Sequence, residues 1–369
     1  MRVTLGVLGS LVLLVGLLLA QQPASQQSIS IEEFDPKSTL VVPQHTLTRA
    51  KYPFIDVHIH QRPADQARVE QLLSDMDGIN MRYAVSSPVN GSWGEKTVNV
   101  IGAFRKFGKG RLYSMTNIDF KGIDEPGYSE RIAHQLEEDI KAGAVGLKVW
   151  RNFGMYEKDS KGQRIHIDDP RYDAAWNVCA KYKIPVLIHT ADPKGLFMPM
   201  DKTNERWLEL KLRSGRNHMA DTDATWETLM TEQHNMFRKH PNTIYIAAHM
   251  DWLANDLGQL GRLLDEMPNV YTEIGAITSD LGRQPRFAHQ FFVKYQDRVF
   301  FGKDAYNVPE YYTYFRLLET ADEYFDPIRK YHGIWKLYGL DLPDDVLKKL
   351  YYKNALRMVP GLNLEGFPK

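Results

Sequence analysis

From Lys51 onward, short apolar runs alternate with longer stretches of helical periodicity. The first run, Phe54-Ile55-Asp56-Val57, leads into His58-Ile59-His60 before Gln61-Arg62-Pro63 stops it. Residues 68–79 then place Val69, Leu72, Leu73 and Met76 at the spacing of one helix face. The pattern repeats, with predicted strands at 81–85, 111–115, 145–150, 185–190, 243–249, 270–274 and 298–304. Helices are predicted at 98–107, 129–142, 172–182 and 226–239, with a helical tail from 308 that is clearest over 344–358. Eight strands, each followed by a helical stretch, predict an α/β fold of the (β/α)8 TIM-barrel kind rather than an open doubly wound sheet. Strand starts lie 27 to 40 residues apart except between the fifth and sixth, where the gap is 58 residues. The excess falls at 192–224, a polar stretch rich in Gly, Pro and Met. It follows a strand, on the side where barrels carry their active sites, and predicts a lid.

Upstream, Arg2 precedes an apolar run to Ala20 broken only by Thr4 and Ser10. This is the layout of a signal peptide over 1–20, with cleavage after Ala20 or as late as Ala24. It predicts export to the periplasm or medium of a bacterium. An uncleaved membrane anchor is the alternative, because Leu18 is large for its place before a cut after Ala20. Residues 21–50 are polar and aperiodic and read as an arm or linker, and 51–361 form the barrel unit.

Composition narrows the partners. A formal net charge of zero and a pI near 7.2 leave no concentrated basic face for nucleic acid. A small-molecule substrate is expected, with membrane contact only through the signal or anchor, and a homodimer stays open. The single cysteine, Cys179, excludes an intramolecular disulfide and a cysteine-rich zinc cluster.

The strand ends carry the candidate chemistry. Residues i and i+2 of a strand share a face, so His58 and His60 project together as half of a divalent-metal site. Alone, they read equally as two polar residues at a strand end. Other ends add Lys148, His189, His249, Glu273 and Asp304. Three imidazoles and a carboxylate at one barrel mouth suit zinc or a similar ion, with room for a water. Arg62 and Arg151 are candidate anion clamps or solvated loop charges, and Glu273 points into the mouth or onto a neighbouring Arg. His134 and His234 fall in helical patterns and are expected to face solvent. His218 is the outlying histidine expected to reach substrate. Met198, Met200, Trp207 and Met219 are expected to form a small core of the lid. No P-loop, dinucleotide fingerprint, His-Glu-x-x-His or Gly-x-Ser-x-Gly occurs.

The run Asp56-Val57-His58-Ile59-His60, with Ile188-His189, Ala248-His249-Met250 and Phe301-Gly302-Lys303-Asp304, resembles the amidohydrolase superfamily. More narrowly, it is similar to the branch of aminocarboxymuconate-semialdehyde decarboxylases and pyrone-dicarboxylate lactonases. The resemblance extends to the tail Tyr352-Lys353-Asn354-Ala355-Leu356-Arg357. It implies a metal held by His58, His60, His189 and Asp304, with His249 as acid/base and Asp304 also accepting a hydrogen bond from the metal's water. It implies one divalent ion, zinc first, with manganese, iron or cobalt geometrically acceptable. A second ion bridged by a carbamylated Lys148 belongs to other branches; here Lys148 is assigned, with Arg62, Arg151 and Glu273, to substrate binding. Lys303 stands where relatives keep a small residue, and on a strand it faces away from the metal.

Two reactions fit such a scaffold. Hydrolysis of an amide, ester or lactone of a small anionic substrate comes first, on superfamily frequency. Non-oxidative decarboxylation or hydration of an unsaturated or aromatic acid is the alternative. A non-catalytic binding barrel would not require a positioned acid/base such as His249.

Overall fold

The run after Pro53 becomes β1 (Phe54–Ile59), with all six residues buried, as a strand covered on both faces requires. It leads to α1 (Gln66–Ile79), which Asp65 caps by accepting from the Arg68 N–H and which Asn80 ends in the left-handed region, φ 70°. The alternation continues through β2 (Met81–Ser86), α2 (Glu95–Phe107), β3 (Leu112–Ser114), α3 (Tyr128–Ala142) and β4 (Leu147–Val149). Next come the short α4 (Asn152–Met155), α5 (Asp173–Tyr182), β5 (Val186–Ile188), and the lid with α6 (Trp207–Leu212). After it lie α7 (Trp226–Lys239), β6 (Tyr245–Ala247), α8 (Leu257–Glu266), β7 (Val270–Glu273), the short α9 (Thr278–Gly282), α10 (Pro285–Lys294) and β8 (Val299–Phe300). The tail holds α11 (Val308–Glu319) and α12 (Asp344–Lys348), which passes through a π turn into α13 (Asn354–Met358).

This computed structural model describes residues 28–368 apart from Ala220. The chain divides at Leu40 into two units, and the barrel lies wholly in the second. The predicted signal at 1–20 falls outside the described residues, and no described helix is long and apolar enough to cross a membrane.

All strands pair in parallel, in two arcs ordered β1-β2-β3 and β4-β5-β6-β7-β8. Backbone bonds stitch both seams. Thr116 N–H donates to Gly146 C=O (3.0 Å) and Lys148 N–H to Thr116 C=O (2.8 Å), joining β3 to β4. Val57 N–H donates to Phe301 C=O (3.0 Å) and Asp304 N–H to His58 C=O (2.7 Å), joining β8 to β1. The predicted barrel thus runs all the way round. Under the second seam Phe54 packs on Phe301 at 4.7 Å, and Asn354 Nδ2 latches the tail by donating to Gln296 C=O and Val299 C=O, both at 2.8 Å.

Two expectations need correction. The lid methionines do not form an apolar core: Met198, Met200 and Met219 are 39%, 42% and 54% exposed. Ionic contacts hold the segment instead. Glu209, fully buried, takes Arg206 (3.2 Å) and Arg216, while Asp192 takes Arg216 (3.1 Å), His218 (2.9 Å) and Arg151. His234 does not face solvent either, because its Nε2 lies 2.8 Å from Asp251 Oδ2 under the loop after β6.

Candidate functional site

The site begins with how β1 and β8 are pinned at their carboxyl ends. Asp56, fully buried, accepts from the His58 N–H (2.9 Å), the Lys303 N–H (3.2 Å) and the Tyr311 hydroxyl (2.7 Å). Burial pushes its carboxyl up to about 7. This clamp fixes His58 and Asp304 against each other across the seam. Lys303 points away, its ammonium 2.7 Å from Glu310 Oε2.

Each histidine at the mouth has one ring nitrogen committed. His58 Nδ1 faces Glu273 Oε1 at 3.1 Å, His60 Nδ1 faces the Ser87 carbonyl at 2.6 Å, and His249 Nδ1 faces the Gly275 carbonyl at 2.9 Å. A carbonyl only accepts, so Nδ1 carries the proton in His60 and His249, and Nε2 is left with its lone pair. His249 Nε2 lies 3.3 Å from His189 Nδ1, which therefore donates to it and leaves the His189 Nε2 lone pair free. Burial holds the His58, His189 and His249 rings below their ordinary pKa, His249 down to about 3, so all three are neutral at pH 7.

These lone pairs meet a carboxylate. His60 Nε2 stands 2.8 Å and His58 Nε2 3.7 Å from Asp304 Oδ1, and the three residues offer ligand atoms within 4.8 Å of one another. His60 Nε2 and His189 Nε2 are buried without a hydrogen-bond partner. Acceptors turned toward one another with no proton between them repel, and a divalent cation is the group that such a donor set fits. His189 stands a step behind the compact trio, reached through its contact with His249. Lys148, fully buried, has its Nζ 3.1 Å from His58 Nε2, and burial lowers its pKa.

The remaining sequence-derived residues are placed differently from expectation. Glu273 is fully buried, and besides facing His58 it accepts the His249 N–H (2.7 Å) and the Gly275 N–H (2.5 Å). It orients the histidines, which corrects its assignment to substrate binding. Arg62 donates to Ser114 Oγ and Ser92 Oγ, both at 2.9 Å, and Arg151 is paired with Asp192. Both are absorbed in protein contacts.

Strain gathers at this face. Left-handed non-glycine residues follow β5 (Ala191), β6 (His249 to Trp252), β7 (Ala276) and β8 (Asp304). The run after β6 has φ of 59°, 52°, 56° and 51° over four residues. Asp251 anchors it to α7, accepting from Gln233 Nε2 at 2.5 Å and facing His234 Nε2 at 2.8 Å. The turn stacks Trp252 on His249, centroids 4.4 Å apart and 26° between planes. Trp252 also lines a cavity of about 320 Å3 between the lid and the loops after β6 and β7. Sequence reasoning missed Asp192, Asp251 and Trp252, because their partners lie far away in the chain. A faint signal was present, since Asp251 and Trp252 directly follow the His249 motif.

The comparisons with known proteins bear on this geometry. No curated protein matches the chain. Among solved structures, an uncharacterized TIM-barrel protein from Bordetella bronchiseptica aligns with TM-score 0.51 and 14% identity, covering 83% of this chain and 97% of that one. A 2,6-dihydroxybenzoate decarboxylase complexed with 2,6-dihydroxybenzoate aligns with TM-score 0.50 and 13% identity, covering 83% and 99%. At these identities the likeness establishes the fold alone. A family model described as Amidohydrolase matches residues 123–361, most of the barrel including His189, His249 and Asp304. The chain belongs to the amidohydrolase family.

Proposed function

We propose that this protein is a metal-dependent hydrolase that cleaves an amide, ester or lactone bond of a small anionic substrate. The observation that supports it most is the pair of Nε2 lone pairs on His58 and His60 facing Asp304, with His189 Nε2 buried and unpartnered behind them. His58, His60, His189 and Asp304 would hold the ion, which by its nitrogen-rich donors is zinc before manganese, iron or cobalt. When bound, such an ion supplies a Lewis acid and brings the pKa of a water toward neutrality.

The chain's own groups then handle orientation and protons. Glu273 and the Ser87 and Gly275 carbonyls fix the tautomers that leave each Nε2 basic. Asp304 faces the Nε2 atoms of His60 and His58 as the carboxylate of the set. Burial keeps His249 neutral, and as acid/base it would accept a proton at the Nε2 that now faces His189. Lys148, one contact from His58, serves the substrate's anionic group.

Decarboxylation or hydration of an unsaturated or aromatic acid is the second reading, supported by the shared fold with the decarboxylase above. A panel of lactones, esters, amides and aromatic carboxylic acids separates the two. Product acids without carbon dioxide release support hydrolysis, and carbon dioxide release from a carboxylic acid contradicts it. Retained turnover in His249→Gln would remove His249 from the reaction.

A further inference from the structure

We propose that the small pocket beside Asp304 receives a carboxylate of the substrate, apart from the atoms that would hold the metal. The inference rests on the reading of Asp304 as part of the reacting centre. The pocket is about 50 Å3 and is bounded by Thr278 and Ser279 of α9, Tyr314 of α11, and Arg329 and His332 after β8, with two carboxylates, Asp304 and Glu310, in its wall. A cavity needs only about 10–15 Å3 of such space to hold one water, so there is room for a small polar group such as a carboxylate.

Its lining is rich in donors. The Tyr314 hydroxyl accepts from the Ala276 N–H at 2.8 Å, so its own proton remains to be given. Thr278 and Ser279 add hydroxyls, and Arg329 adds a guanidinium that shares one carboxylate, Glu310, with Lys303. Behind them the lid contributes Arg206 and Arg216, both on Glu209, whose Oε1 lies 3.7 Å from His332 Nε2. Arg213 covers the adjoining Tyr331 ring at 5.4 Å.

Arginines from the lid and from the tail act on His332 across these acids. Burial first, then Arg206, Arg216, Arg329 and Arg213, push its pKa down to about 3. A neutral ring there offers hydrogen bonding without spending charge, and an incoming anion meets donors. The lid supplies Arg206, Arg213 and Arg216, whereas Arg329 and His332 come from the stretch after β8.

The test follows the His332 ring signals by NMR during titration with sodium acetate, and separately with inorganic phosphate, at ionic strength fixed with sodium chloride. His332→Gln identifies the signals. Acetate should shift them saturably, and Arg329→Gln should require at least about tenfold more acetate, the loss expected for one charge-assisted bond. Arg329→Lys keeps the charge and should weaken binding by only about threefold, which supplies the measurement if the glutamine variant does not fold. The shift should persist in His58→Ala/His60→Ala. An Arg329-dependent shift in a protein that binds no metal would overturn the proposed function and leave the pocket standing. Equal acetate affinity in Arg329→Gln, loss of the shift in the double histidine variant, or tighter binding of phosphate than of acetate would overturn the carboxylate pocket.

Discussion

Replacing Asp251 tests how the fold holds its reactive face. The four left-handed residues from His249 to Trp252 store on the order of 4–8 kcal/mol, at ~1–2 kcal/mol each. Asp251 offsets part of this through two buried contacts, to Gln233 and His234. Asp251→Ala removes both, at roughly 1.5–3 kcal/mol each for bonds to a charged acceptor, and also removes a side chain that tolerates the left-handed region. A loss of about 4 kcal/mol follows. Asp251→Gly loses the same contacts but relieves the strain at its own position, so it should be about 1–2 kcal/mol more stable than Asp251→Ala. Equilibrium urea unfolding of the three proteins measures both differences, read at equal m values. The reasoning is refuted if Asp251→Ala lies within about 1 kcal/mol of wild type, or if the glycine variant is no better than the alanine one.

Three further outcomes are expected. Glu273→Gln keeps one oxygen for His58 Nδ1 and the His249 N–H but sets an amide NH2 against the Gly275 N–H, and should weaken metal binding about 10–100-fold in competition with a chelator; unchanged affinity would contradict the orienting role. A Cβ at Gly302 would stand 2.7 Å from Glu273 Oε2 and 3.0 Å from His58 Cβ, so Gly302→Ala should lower both the melting temperature and the metal content. His332, at about 3 in the folded protein and near 6.5 unfolded, makes the unfolded chain bind more protons between those values. Stability from this group is full above pH 6.5 and falls with acidity, by about 2 kcal/mol from pH 7 to 5, and His332→Gln should flatten that slope.

The barrel was legible because its pattern is local. Runs such as 54–57 and helix faces such as Val69, Leu72, Leu73 and Met76 need only their own neighbours to declare themselves, and polar residues at the ends of such runs stand out. His58, His60, His189, His249 and Asp304 were readable in that way. What could not be read depends on pairing across the chain. Arg62 and Arg151 look like free cations in sequence, but Ser92, Ser114 and Asp192 absorb them. Glu273 looks like a mouth residue and is instead buried among backbone N–H groups that only the closed barrel brings to it. The lid's composition suggested apolar packing, whereas Glu209 and Asp192 organise it through charges supplied by several segments. The left-handed turn had no glycine to announce it.

The most direct test of the central claim is elemental analysis of the purified protein after equilibration with zinc, beside a His58→Ala/His60→Ala control. The lone-pair geometry at His58, His60, His189 and Asp304 predicts one equivalent of divalent metal per chain that is absent from the control. Two equivalents would bring Lys148 into the site as a bridge between ions. No metal after reconstitution with zinc and with manganese, in a protein that is otherwise folded, would contradict the claim.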